Sequence, residues 1–145
     1  MELSGFDEAI ENFNKFIKMQ PNHSRAHFGL GNALMVKGQL DLAMLEYRLS
    51  GKLDPTFAFP YMNMANIQMQ TKNIPAALEN YQKALKINPD LSAIHLSLGM
   101  IYYQFINDAP KALGYLKEAL RLNPNQEGAA RLKSLIVELE NKQPA

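Results

Sequence analysis

Mostly apolar or small residues, of the kind that pack between helices, recur with the spacing of an α-helix along almost the whole chain. His27, Leu30, Gly31 and Leu34 follow the spacing i, i+3, i+4 and i+7, and the same spacing returns from residues 61 and 95. This spacing places the side chains on one face of an α-helix. Because no segment alternates between apolar and polar residues with a period of two, we expect an all-α fold.

The helical pattern itself repeats about every 34 residues. Alanine recurs at Ala9, Ala43, Ala77 and Ala112, and a proline ends each period. A constant period of this length indicates stacked pairs of helices. The third period is one residue longer than the others, and we place the extra residue in a loop at Asn107-Asp108.

Four positions of the repeat carry a family motif. A small residue occupies the eighth place, alanine the twentieth, an aromatic residue the twenty-fourth and proline the thirty-second. These residues are Gly31, Ala43, Tyr47 and Pro55 in the first full repeat, Ala65, Ala77, Tyr81 and Pro89 in the second, and Gly99, Ala112, Leu116 and Pro124 in the third, where leucine replaces the aromatic residue. The motif resembles that of the tetratricopeptide repeat (TPR) family. The resemblance implies a right-handed α-solenoid of helix-turn-helix repeats that acts as an interaction scaffold and not as an enzyme.

The repeats divide a single domain into five segments. We expect residues 1–21 to form the second helix of a partial repeat, and residues 24–57, 58–91 and 92–126 to form three full repeats, the last with the one-residue insertion. Residues 127–142 carry one apolar stripe opposite a charged face, as the terminal helix of a repeat array needs, so we expect a C-terminal capping helix. A helix lying on a membrane surface is the alternative, but acidic and basic residues balance in this segment.

The second helix of the first full repeat departs from the pattern. Ser50-Gly51 stands where the later repeats have Ala84-Leu85 and Ala119-Leu120. Glycine near the end of a helix lowers its stability, and the missing leucine removes apolar contact with the next repeat. We therefore expect a weakly packed junction at this point.

Composition and charge exclude several classes of function. Fifteen basic and fourteen acidic residues leave a net charge of +1, which argues against binding to nucleic acid. The chain has no cysteine and no P-loop, GxSxG or HExxH motif, so we expect no catalysis, no cofactor and no metal site. Neither a signal peptide nor an apolar run of about 20 residues is visible, which favours a cytoplasmic location without membrane insertion.

Charged residues avoid the first helices of the repeats. Residues 26–36, 55–71 and 91–107 contain no Lys, Arg, Asp or Glu. In the family that the chain resembles, first helices line a concave groove, so we expect a neutral groove that binds a largely uncharged peptide or helix of another protein. Methionine repacks around different side chains, and amides pair with peptide backbone. The predicted peptide-binding residues are Phe28, Asn32, Met35, Phe59, Met62, Asn63, Asn66, Met69, Gln70, Leu96, Met100 and Tyr103.

The asparagines admit a second interpretation. In these repeats Asn32, Asn63 and Asn66 stand at places where an amide often bonds only the neighbouring repeat. The apolar residues beside them also have the spacing of side chains that are partly buried between repeats. A structural role and a binding role therefore both remain open for these positions.

A chaperone-type clamp for an acidic C-terminal tail is a further alternative within the family. Asn32 and Asn63 match the asparagines of that clamp. However, Phe28, Ala93 and Ser97 occupy the places where the clamp has cationic side chains. We therefore expect no binding of an acidic tail in this manner.

The first helix offers a surface for self-association. Phe6, Ile10, Phe13 and Ile17 are spaced i, i+4, i+7 and i+11, and the helix that would cover them in a complete repeat does not occur in this sequence. Either the chain is a fragment of a longer array, or another chain covers this stripe, and homo-oligomeric assembly through the repeats is the alternative function. We expect a symmetric homodimer as its commonest form.

Overall fold

Helices account for most of residues 3–144, which are the residues that this computed structural model describes. The chain divides into two units after Ile87. The described residues contain no strand, and the prediction of an all-α fold is confirmed. The first unit contains α1 (Leu3–Met19), α2 (Ser24–Val36), α3 (Leu40–Leu53), α4 (Phe59–Gln70) and α5 (Ile74–Ile87), and the second contains α6 (Ser92–Ile101), α7 (Ala109–Leu122) and α8 (Ala129–Asn141).

The first helix of each full repeat ends at a residue with a positive φ angle. Gly38 (75°), Lys72 (59°) and Asn107 (59°) occupy equivalent positions in the three repeats. The left-handed conformation turns the chain back on itself, so that a following N–H group can bond to a carbonyl of the helix just completed. In the first repeat the N–H of Gln39 donates to the carbonyl of Leu34 at 2.9 Å.

The inserted residue of the third repeat lies in a π-helical turn, Tyr102–Ile106, that continues α6. The prediction of a loop insertion at Asn107-Asp108 is therefore wrong. The N–H of Asp108 donates to the carbonyl of Tyr102 at 2.9 Å, so this turn encloses one residue more than the turn from Leu34 to Gln39. An extra residue can enter a helix as a π turn without ending it.

Tyr47 lies at the centre of the core of the first unit. Its side chain is fully buried among residues of α2, α3 and α4. Gly31 lets the ring approach α2, because a Cβ atom on Gly31 would lie 2.7 Å from it. The small residue and the aromatic residue of the repeat motif thus meet. The buried residues of this cluster are Leu30, Leu34, Ala43, Tyr47, Met64 and Ile67.

In the second unit, α7 contacts both α6 and α8. Leu116 of α7 is fully buried, and a Cβ atom on Gly99 of α6 would lie 2.5 Å from its side chain. The helix α8 buries Leu132, Ile136 and Leu139, while most of its other residues stay exposed. The apolar stripe of α8 is therefore its buried face.

The junction at Ser50-Gly51 is closely packed, which contradicts the expectation of a weak contact. Both residues are buried, and the hydroxyl of Ser24 donates to the carbonyl of Ser50 at 2.9 Å. A Cβ atom on Gly51 would lie 3.0 Å from the ring of Tyr61. The glycine therefore admits a tyrosine from the next repeat and is not a packing defect.

Replacing Gly51 by the leucine of the later repeats is expected to destabilise the first unit by about 1–3 kcal/mol, because the added side chain overlaps Tyr61. Gly114 is the matched control, since a Cβ atom added to it would meet no other described residue within 4 Å. Gly114→Ala should stabilise the second unit by about 0.5–1 kcal/mol through helix propensity alone. Thermal unfolding followed by circular dichroism measures both. A stabilised Gly51→Leu variant would show that the junction is loose after all.

Candidate peptide-binding surface

One face of α4 forms the clearest part of the candidate surface. Phe59 is 41% exposed, Met62 and Met69 are half-buried, and Gln70 is exposed. None of the four is a buried residue of the core cluster around Tyr47, and Met62 and Met69 are not among the half-buried residues that pack against it. The helix contains no Lys, Arg, Asp or Glu. This face is therefore apolar, uncharged and accessible within the first unit.

The predicted residues of α2 lie deeper. Phe28 and Met35 pack against the core cluster, and the ring of Phe28 lies 5.7 Å from that of Tyr47, between centroids. The Sδ atom of Met35 accepts a hydrogen bond from the Tyr47 hydroxyl at 3.7 Å. Both side chains remain half-buried and expose only part of their own area.

Phe57, which the sequence reasoning did not select, joins the two helices. Its ring lies 4.9 Å from that of Phe28 and 5.8 Å from that of Phe59, between centroids. The guanidinium of Arg25 lies 4.6 Å from the centroid of the Phe57 ring, a cation–π contact. This edge of the surface therefore carries one positive charge. The sequence signal that could have identified Phe57 is its position in the loop, two residues before the first residue of α4.

Asn32 and Asn63 are engaged in a hydrogen-bonded network. The Tyr47 hydroxyl donates to Oδ1 of Asn32 at 2.7 Å, and Nδ2 of Asn63 donates to the same oxygen at 2.9 Å and to the Tyr47 hydroxyl at 3.3 Å. Asn66 is used in the same way in the next repeat, where its Oδ1 accepts from Tyr81 at 2.5 Å. The amides thus bond between helices, the structural alternative that the sequence left open.

Burial of Tyr47 raises the pKa of its phenol, and the hydrogen bond from Asn63 partly offsets this rise. The hydroxyl therefore remains protonated around neutral pH and can donate to Asn32. The network joins α2, α3 and α4 through one buried side chain. Its members position the α4 surface, and the Oδ1 atoms of Asn32 and Asn66 already accept bonds from tyrosine.

In the second unit, Leu96, Met100 and Tyr103 come together in a cavity of about 500 Å³. Its other wall is α8 and the residues before it, which the sequence reasoning had assigned only to capping. That wall brings in Glu127 and Arg131, so the lining of this cavity is not neutral. The residues that the sequence reasoning missed are Gln104, Gln126, Glu127, Gly128, Arg131, Leu132 and Leu135.

The four residues predicted for self-association are partly covered. Phe6, Ile10, Phe13 and Ile17 are half-buried, and the last three pack against the core cluster of the first unit. The ring of Phe13 is close enough to α2 that a Cβ atom on Gly29 would lie 2.3 Å from it. The stripe therefore serves mainly to hold α1 on α2.

The histidines have structural partners. Nδ1 of the buried His27 lies 2.7 Å from a carboxylate oxygen of Glu46, and its Nε2 lies 2.7 Å from the carbonyl of Pro21. Nε2 of His95 bonds the equivalent carbonyl of Pro89. Within residues 3–144, no three His, Cys, Asp or Glu side chains are grouped to hold a metal ion. No helix in that range is long and apolar enough to cross a membrane.

Comparison with protein families decides what kind of repeat this is. A family model described as a tetratricopeptide repeat matches residues 1–56, and one described as a TPR repeat matches residues 65–104. Together they cover about two thirds of the chain. The chain belongs to the tetratricopeptide repeat family. TPR repeats serve as protein-interaction scaffolds, which agrees with the class of function that the sequence implies.

Curated relatives of this TPR chain match it over a small part of their own length. The chain is 26% identical over 113 residues to protein CTR9 homolog of Arabidopsis thaliana, a match that covers 75% of the chain and 10% of the relative. It is 28% identical over 149 residues to protein O-mannosyl-transferase TMTC3 of Homo sapiens, covering 98% of the chain and 16% of the relative. The likeness is thus to a segment of each larger protein.

A solved structure supports the TPR fold. The structure from the functional characterisation of Pseudomonas aeruginosa pilF matches with a TM-score of 0.81 at 23% identity, covering 96% of this chain and 63% of that one. At this identity the likeness concerns the fold alone. The prediction of a TPR helical-repeat fold is confirmed.

Proposed function

We propose that this TPR chain is a non-catalytic scaffold that binds a largely uncharged peptide or helix of another protein along α4. The observation that carries the proposal is the stripe of Phe59, Met62 and Met69, which lies outside the core on a helix without charged residues. Accessible apolar side chains that form one surface commonly mark a protein-binding site.

The predicted residues fall into two groups, those that hold the shape of the site and those that can contact a ligand, and this supports the proposed surface. The asparagines bond to tyrosine side chains, and Phe28 and Met35 pack on the core cluster, so these residues hold the shape of the site. Phe59, Met62, Met69 and Gln70 remain to contact a ligand. A rigid base below adaptable methionine side chains suits a partner of varied sequence.

The chemistry of α4 restricts the partner. A charged peptide would lose hydration on this face and would find no opposite charge on the helix, so an apolar or amide-rich segment fits better. An acidic tail fits poorly as well, because Phe28 stands where the chaperone-type clamp has a cation and is packed against the core. Arg25, at the edge beside Phe57, offers a positive charge next to the surface but not on α4 itself.

The second unit offers a separate candidate surface. Leu96, Met100 and Tyr103 supply apolar contact area in its cavity, while Glu127 and Arg131 supply hydrogen-bonding and charged groups. A ligand side chain with an apolar stem and a polar end matches this lining. We regard it as a second contact region whose ligand need not be uncharged.

Replacing both Met62 and Met69 by glutamate is expected to abolish peptide binding at α4. Burying each methionine contributes roughly 1.5–3 kcal/mol, and a buried unpaired carboxylate adds a desolvation cost. The probe is a peptide selected on the unmodified chain from a random phage-displayed library, and its affinity is measured by fluorescence anisotropy. Far-ultraviolet circular dichroism checks that the variant keeps its helices.

A matched control replaces two exposed leucines of α3, Leu42 and Leu45, by glutamate. This variant carries the same change of charge away from α4 and should bind the selected peptide normally. The affinity should also change little between low and high salt, because the α4 contact is apolar. Unaltered binding by the methionine variant, or a steep salt dependence, would contradict the proposal.

A further inference from the structure

The outer face of α3 carries a stripe of exposed leucines. Leu42, Leu45 and Leu49 are 51%, 55% and 38% exposed, and their spacing i, i+3 and i+7 puts them on one face of the helix. The opposite face holds the fully buried Ala43 and Tyr47, so the leucines point away from the core of the first unit. Single apolar residues are common on protein surfaces, but a continuous stripe commonly marks a contact surface.

The leucine stripe is particular to α3 among the helices that carry the repeat alanine. Counted from that alanine, the equivalent residues are Glu8, Glu11 and Lys15 in α1, Ala76, Glu79 and Lys83 in α5, and Lys111, Gly114 and Glu118 in α7. In α1 and α5 the places of Leu45 and Leu49 hold exposed ion pairs, with N–O distances of 2.6 Å and 2.9 Å. The packing within a repeat therefore does not require leucine at these positions.

Two charged side chains border the leucine stripe on one side. Asp41 and Arg48 are seven residues apart, which is almost two full turns, so they lie on the same side of α3. Both are exposed, and neither forms an ion pair or a side-chain hydrogen bond with another residue of the described range 3–144. The rise between them is about 10 Å, too far for the two to pair within one helix. Each is therefore available to a charge on another molecule.

The stripe and the two charges are self-complementary. Leu45 lies midway between Leu42 and Leu49 to within one residue, and it lies equally close to the midpoint between Asp41 and Arg48. A two-fold axis beside Leu45 would bring the leucine stripes of two copies together in antiparallel orientation. The same axis would bring each Asp41 opposite the Arg48 of the other copy, because both charges lie on the same side of their helix.

We propose that this chain forms a symmetric homodimer in which two α3 helices pack antiparallel through their leucine stripes. Burial of the leucines drives association, and the two Asp41–Arg48 pairs at the edge set the orientation. A parallel pair would instead keep each Asp41 two turns away from the Arg48 of the other copy. The contact uses neither the α4 surface nor α1, the helix that the sequence suggested for dimerisation. Because a single pair of helices buries less than a standard interface, we expect association at concentrations on the order of tens of micromolar.

Sedimentation velocity over a range of concentrations tests the surface. The unmodified chain should show concentration-dependent dimerisation, whereas Leu45→Glu should sediment as a monomer, because it sets two carboxylates against each other at the two-fold axis. Val137→Glu is the matched control, since it changes an equally exposed apolar residue of α8, 53% exposed, and should leave association unchanged. Circular dichroism confirms that the variants keep their helices. A monomeric unmodified chain, or a Leu45→Glu variant that still dimerises, would overturn the proposal.

Two charge reversals test the antiparallel orientation. Asp41→Lys and Arg48→Glu each set like charges against each other at both edges of the contact, so each variant alone should dimerise several-fold more weakly than the unmodified chain. An equimolar mixture of the two should form a one-to-one dimer about as tight as the unmodified one, because two positive side chains of one copy then face two negative side chains of the other. A mixture that associates no more tightly than either variant alone would contradict the antiparallel pairing and overturn the proposal.

Discussion

Replacing Tyr47 by alanine is expected to lower the free energy of unfolding of the first unit by about 3–5 kcal/mol, the usual range for removing a large buried aromatic side chain. The side chain is fully buried and lies against Gly31 of α2. Its removal would leave a cavity that Leu30, Leu34 and Ile67 cannot all move to fill. Urea denaturation followed by circular dichroism measures the change.

Tyr47→Phe separates the ring from the hydroxyl. The ring keeps its packing, and Asn32 and Asn63 keep the bond to each other, so the cost should be about 1–2 kcal/mol for the lost hydrogen bonds. An equal cost for both variants would mean that the hydroxyl network, and not the packing of the ring, holds these three helices together. We expect the alanine variant to be clearly the less stable of the two.

The sequence predicts most of this fold because packing in repeats depends on fixed spacings. Gly31 and Tyr47 are a small and a large residue at set positions of the repeat motif, and the structure brings them into contact. Such features depend on residues within one repeat, so the chain sequence carries them directly.

Features that depend on a partner in another segment could not be predicted. Ser50-Gly51 looks like a defect until Tyr61 of the next repeat is seen against the glycine. The third repeat has the same number of residues whether the inserted residue lies in a loop or in a π turn. Only the bond from the N–H of Asp108 to the carbonyl of Tyr102 distinguishes the two. Counting residues does not determine which carbonyl an N–H group reaches.

The same limit applies to the candidate surface. The sequence placed Asn32, Asn63 and Met62 on one stripe but could not say which side chains already had partners. The amides point to Tyr47, a residue on another helix, whereas Met62 stays outside the core cluster. Phe57 lies outside both helical patterns, so periodicity gave no reason to select it. The stripe looks uniform in the sequence, but in the structure some of its residues support the surface and others are accessible to a ligand.

Phe59→Ala is expected to weaken binding of the selected peptide by roughly 2 kcal/mol or more, the loss typical of an aromatic interface hot spot. This corresponds to a rise in Kd of about 30-fold. Phe59 is 41% exposed and lies outside the core, so its removal should cost the fold little. We therefore expect the affinity, measured by fluorescence anisotropy, to fall. The free energy of unfolding, measured by urea denaturation, should change little.

Phe57→Ala provides the contrast. Phe57 is only 7% exposed and contacts Phe28, Phe59 and Arg25, so its loss should lower both stability and affinity. If the ligand lies along α4, Phe59→Ala should spare stability and Phe57→Ala should not. Unchanged affinity of the Phe59 variant would place the ligand elsewhere on the chain. Equal losses of stability in the two variants would instead show that Phe59 supports the surface. Replacing a residue that only contacts the ligand should lower the affinity and leave the stability of the fold unchanged.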